Sequence, residues 1–163
     1  MKKKLFAMVL CVIMVVAMAV PALAAQPNMP TQFSSGGLHI VTSSGSNNSS
    51  VYMHSPDTMA YPYDSWFLKK DLTNHWRLYT AWSHTVGDGA TMNRHSNGTS
   101  CIIWEDATDR ATLNDSVVDL LTVSTGVQRI CLEMSPTNNK YLATSGTSLI
   151  WTTSGTAFGV YPA

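Results

Sequence analysis

The residues of this chain that could do chemistry crowd its middle third. "HTVGDGATMN" (84–93) and "WEDATD" (104–109) bring Asp88, Glu105, Asp106 and Asp109 close together in sequence. Calcium takes oxygens of this kind, but the acids lack the spacing of a calcium loop, and solvated carboxylates are the default reading. Five histidines, His39, His54, His75, His84 and His95, show neither His-x-x-x-His nor a Cys-His cluster. No metal and no cofactor is therefore expected. The sequence has no Gly-x-Ser-x-Gly elbow, no phosphate-binding glycine loop and no Cys-His arrangement, so it reads as a binding protein and not an enzyme.

Two tryptophans follow isoleucines, Ile103-Trp104 and Ile150-Trp151. Neighbouring residues of a strand point to opposite faces. If each Ile points inward, each Trp faces out and can stack on a ligand; with the phase inverted, both are plain core.

The elements that must hold these residues are strands. Nearly every apolar stretch after residue 30 is short, rich in Val, Ile, Tyr, Trp and Thr, and bounded by Gly, Asn, Ser or Asp, which are strand signals. "DSVVDLLTV" could pass for a helix, but its β-branched content argues for a strand. The strands repeat. "GLHIVTS", "ATMNRHS" and "KYLATS" form one series, with Ile40, Met92 and Leu142 spaced 52 and 50 apart. "SSVYMHS", "TSCIIWED" and "TSLIWTT" form the next, aligning Met53, Trp104 and Trp151 at spacings of 51 and 47. Trp66, Val117 and Phe158 correspond in the strand that follows, and Trp66 and Phe158 are read as barrel core. "TQFSS", "HWRLYTAWS" and "VQRICLEMS" precede the hairpins. Three copies of four strands, about 31–71, 75–124 and 127–163, are too few for propeller blades, of which a ring needs about four or more. They resemble a β-trefoil: six strands in a barrel and six in a hairpin cap. The expected fold class is all-β.

Residues 1–24 carry a basic start, an apolar run and Ala22-Leu23-Ala24, the pattern of a secretory signal peptide. The domain is then 25–163, secreted, with no membrane association after cleavage. That segment holds seven Lys and Arg against ten Asp and Glu, a net charge of −3. A nucleic-acid partner would require a basic patch and is not expected. Cys101 and Cys131 fit either a disulfide or two buried thiols. Asn-x-Ser/Thr sequons stand at Asn47, Asn48, Asn97 and Asn114, acceptors only if a eukaryote secretes the protein.

The last copy, "VQRICLEMSPTNNKYLATSGTSLIWTTSGTAFGV", resembles the ricin-type lectin family, whose repeats carry a G-K-x-L-D hairpin entry, a V-x-L-W strand and N-Q-x-W. The resemblance implies one shallow sugar pocket per copy, built from an Asp, a stacking Trp and a closing Asn. In the second copy Asn93 stands at the Asp position, Trp104 is the stacking Trp and Asn114 the closing Asn; Asp115 and Val117 replace the family's Gln and last Trp. The third copy keeps Trp151, with Ala143 and Gly155 at the two polar positions. The first offers Val41, Met53 and Tyr63, and no site. A sugar ring presents an apolar face that an aromatic covers, and hydroxyls that amides or carboxylates fix. The implied function is a secreted, non-catalytic carbohydrate-binding domain for a glycan or polysaccharide, with candidate residues Asn93, Trp104, Asn114 and Trp151. The acids around Asp88 and Glu105 are candidates to rim the same pocket. The alternatives are a trefoil that binds an extracellular protein, such as a hydrolase inhibitor acting through "HSPDTMAYPYDS" (54–65), or a surface protein with no small ligand.

Overall fold

A computed structural model of the chain describes residue 25 and residues 27–57, 61–96 and 98–163. The leader expected over 1–24 lies outside the described residues. Twelve strands and one helix are present among those described: β1 (Pro30–Ser35), β2 (Leu38–Thr42), β3 (Val51–His54), β4 (Trp66–Lys70), β5 (Trp76–Thr80), β6 (Ala90–Arg94), β7 (Cys101–Glu105), α1 (Arg110–Ser116), β8 (Val118–Ser124), β9 (Val127–Leu132), β10 (Tyr141–Ser145), β11 (Ser148–Thr152) and β12 (Phe158–Pro162). The helix was not foreseen. Asp109 starts it: its side chain accepts from the backbone N–H groups of Ala111 and Thr112 and from the Thr112 hydroxyl, closing donors that a helix start leaves open. Val117, at φ −70° and ψ 120°, returns the chain to extended geometry for β8.

All pairings are antiparallel. β1 pairs with β12 and β4, β4 with β5, β9 with β8 and β12, while β5 and β8 pack without a ladder. These six strands form the barrel. β2–β3, β6–β7 and β10–β11 are the hairpins of the cap. Backbone bonds link the hairpins in a ring: the N–H of Met53 donates to Thr147 O at 2.8 Å, that of Ile103 to Ser49 O at 2.8 Å, and that of Trp151 to Thr99 O at 2.6 Å. Bridges Ser50–Ile102, Ser100–Ile150 and Ser148–Tyr52 repeat the same cycle. The fold is trefoil-like, with three related copies.

The ring sets the correspondence between copies. Met53, Ile103 and Trp151 are equivalent, because they pair with Ile40, Met92 and Leu142 across their hairpins. Aligning the copies on the shared Ile-Trp string therefore misplaces the second copy by one residue: Trp104 is the counterpart of His54 and Thr152. The same slip affects the strand after the helix. Trp66, Val118 and Phe158 correspond, since Leu68, Leu120 and Val160 pair with Leu78, Ile130 and Phe33. A one-residue change of register exchanges every inward side chain for an outward one, and burial shows which is right. Phe33, Leu78 and Ile130 are fully buried, as are Ile40, Met92 and Leu142. Met53, Ile103 and Trp151 form the next layer, and Trp66, Val118 and Phe158 another. Val117 is buried too, but lies outside that main cluster. The Trp66 indole N–H donates to Ile40 O at 2.9 Å, satisfying its one polar atom in the core. Cys101 and Cys131 are both free and buried. Cys101 occupies the place that Val51 and Leu149 fill in the other copies, and burial raises its thiol pKa, as expected of an inert packing residue.

Candidate functional site

The second hairpin presents one polar face. Thr91 pairs with Trp104 and Asn93 with Ile102, so these four side chains stand together on the outside of β6–β7. Helix α1 packs over this face and brings Ala111, Thr112 and Asp115, positions i, i+1 and i+4 of one helical side. The result is a cavity of about 210 Å³ whose walls include Trp104, Asn93, Asp115, His95 and, from the first copy, Asn48. Trp104 is half-buried at its edge. Asn48 holds a left-handed conformation, φ 66°, at the hairpin tip where the third copy has Gly146 at φ 62°; its N–H donates to Ile103 O at 2.9 Å.

Asn93 is 2% exposed. Its amide nitrogen donates to Thr91 O at 3.2 Å and Thr91 Oγ1 at 2.8 Å, which leaves the amide oxygen as the acceptor offered to the cavity. Asp115 is held by Arg94, whose Nε donates to Asp115 Oδ1 at 2.9 Å and whose Nη2 donates to the same oxygen. The remaining Arg94 nitrogen donates to Ser135 Oγ at 2.9 Å and Thr137 Oγ1 at 2.7 Å. Arg94 thus clamps the helix and the third copy's 135–139 loop. The second carboxylate oxygen of Asp115 remains for the cavity.

The four candidates separate. Asn93 and Trp104 line the same cavity. Asn114 does not: it lines the adjoining cavity of about 550 Å³ with Thr137 and Asn139, while its neighbour Asp115 borders both. Trp151 is 0% exposed. Its indole N–H donates to Asn93 O at 3.4 Å and its ring belongs to the core layer, so it has no face to offer a sugar; the stacking role given to it by resemblance is corrected. Asp115, His95 and Asn48 were missed as site residues. Asp109, an N-cap three residues before Thr112, was the sequence signal for a helix that would carry Asp115 inward.

The acids do not rim this cavity. Asp88, Glu105 and Asp106 line a separate one of about 490 Å³, and Asp109 caps α1. Asp106 has structural work: it is 6% exposed and accepts from the Tyr79 hydroxyl at 2.9 Å and the N–H groups of Gly87 at 2.7 Å and Gly89 at 3.2 Å. Burial, then this carboxylate, raise the Tyr79 pKa. No cluster of three His, Cys, Asp or Glu suited to a metal occurs among the described residues. At the 54–65 loop, whose residues 58–60 lie outside the described ones, Tyr61 is 62% exposed. Tyr63 sets its ring edge-on to Trp82, centroids 5.2 Å apart, and Trp82 is 42% exposed.

No family profile matches the chain, and no curated protein matches it. Among solved structures, the crystal structure of a designed 3-fold symmetric protein, ThreeFoil, matches at a TM-score of 0.61 and 15% identity, covering 82% of this chain and 99% of that one. The likeness shows a trefoil-like fold and no more.

Proposed function

We propose that this protein is a secreted, non-catalytic carbohydrate-binding domain of ricin-type character with one site, the Trp104 cavity of the second copy. The observation that carries this reading is the pairing, in one cavity, of a half-buried indole with the Asn93 amide oxygen and the Asp115 carboxylate. An aromatic face and a few convergent acceptors are what a sugar's apolar face and hydroxyls require. Asp115 takes over the role that the resemblance gave to Asn114. His54 and Thr152 stand at the equivalent positions of the other copies, so binding is through one site and weak, on the order of millimolar for a single sugar. The test is a glycan array probed with the secreted protein and with Trp104→Ala. Glycans retained by the first and lost by the second support the reading; retention of the same glycans by Trp104→Ala defeats it.

A second reading, binding of an extracellular protein through the 54–65 loop, has the exposed Tyr61 and Trp82 in its favour. A folded protein silent on the array yet pulling down one secreted hydrolase, with Tyr61→Ala abolishing capture, would replace the first reading by this one.

A further inference from the structure

The Trp104 cavity does not end at Asp115. Arg94, Ser96, Ala111 and Asp115 border both it and the larger cavity beside it, so the two are compartments of one groove. The groove runs from the second copy's hairpin to the third copy's 135–139 loop, and α1 lines both parts. Sites for small molecules run from about 300 to 1,000 Å³. At about 210 Å³ the Trp104 compartment alone falls short of that range, and its neighbour of about 550 Å³ brings the whole well inside it.

The second compartment is furnished for hydroxyls. Its described lining has no aromatic ring, and Asn114, Thr137 and Asn139 supply polar groups. Among the described residues, neither the Asn114 nor the Asn139 side-chain amide has a hydrogen-bond partner within the chain. Each therefore keeps a carbonyl acceptor and two N–H donors for a ligand. The loop is set before any ligand arrives. Arg94 Nη1 donates to Ser135 Oγ, to Thr137 Oγ1 and, at 3.3 Å, to the Asn139 carbonyl. The Thr137 N–H donates to Ser135 Oγ at 3.3 Å, and Pro136 between them has its φ fixed. A loop already held costs a ligand less to order. Arg94 is the one permanent cation in the described lining, and Asp115 offsets it. An acidic sugar finds no spare positive charge there.

We propose that the two compartments together take a neutral oligosaccharide of two or more rings. One ring lies against Trp104, Asn93 and Asp115, and the next against Asn114 and Asn139. Asp115, which borders both compartments, accepts from hydroxyls beside the glycosidic bond. The proposal rests on the sugar reading of the Trp104 cavity and gives it a ligand class. It also returns Asn114 to the ligand, one ring away from where the resemblance set it.

The test is affinity as a function of ring number. Free chito-, cello-, malto- and galacto-oligosaccharides of one to four rings are titrated by NMR into the secreted protein, into Asn114→Ala combined with Asn139→Ala, and into Trp104→Ala. The two asparagines can be replaced without loss of the fold, since alanine favours a helix and Asn139 is exposed. Along a series that binds, the second ring should raise affinity about tenfold, the worth of one or two net hydrogen bonds. The double variant should bring the two-ring to one-ring ratio down to about one. Affinity that stays flat with ring number while still needing Trp104 would overturn this proposal and leave the sugar reading standing. So would a gain that survives the double variant. A wild type that binds no series, or whose binding ignores Trp104, would overturn both.

Discussion

Ile103-Trp104 and Ile150-Trp151 are the same two letters placed at the same point of two related hairpins, and they meet opposite fates. In the second copy Ile103 enters the core and Trp104 faces the cavity under α1. In the third, Trp151 enters the core and Ile150 is the half-buried neighbour. The cyclic cap bonds require Met53, Ile103 and Trp151 to be equivalent, so a string match one residue out of phase reads a core residue as a ligand contact. What decides a Trp's role here is its phase against the ring, and the dipeptide around it is uninformative.

The largest effect that could break this contrast is on stability. Trp151→Ala should cost about 3–5 kcal/mol in denaturant unfolding, the range for emptying a buried aromatic site, whereas Trp104→Ala should cost about 1 kcal/mol or less. Equal costs would mean the two rings are equally buried. Next comes binding. Trp104→Ala should weaken retention on the array's best glycan by about tenfold or more, the worth of one good aromatic contact; Trp151→Phe, if folded, should leave it unchanged.

A smaller effect sharpens the register itself. Thr152→Trp puts an indole at the true counterpart of Trp104, where it should change stability by no more than about 0.5 kcal/mol. Its fluorescence should be quenched by iodide; a shielded new indole would contradict the assigned phase. The smallest effect concerns the outer layer of β4–β5. His84 stacks on Phe67 at 4.2 Å and accepts from Lys69 Nζ at 2.8 Å. Burial first, then the Lys69 charge, hold its pKa below the usual histidine value. A lowered folded pKa means the unfolded chain takes up the proton more readily, so this contribution is present above the unfolded pKa near 6.5 and is lost as pH falls. Thermal melts from pH 7 to pH 5 should show the loss, and His84→Gln should flatten it.

Much of the architecture was legible because strands announce themselves locally. Short β-branched and aromatic runs between Gly, Asn and Ser located the twelve strands, and the Ile40, Met92, Leu142 series located the copies correctly. Register was less legible. The second copy's loop and helix between Glu105 and Val118 change the spacing, and Asp64-Ser65 and Asp115-Ser116 look alike while lying one position apart in the fold. Of the site, Trp104 and Asn93 were readable because both lie on one hairpin, at diagonal positions of the same face. Asp115 depends on α1, and Asn48 arrives from another copy, so only the folded chain brings them in.

The three hairpin bonds, Met53 to Thr147, Ile103 to Ser49 and Trp151 to Thr99, have one more consequence. In this set of three each hairpin gives once and receives once, so the ring they make has no first or last member. The order in which the chain threads the three copies is immaterial to that closure. The loops that join one copy to the next could be cut and β12 tied to β1, which already lie paired, and the same circle would close from a rearranged gene.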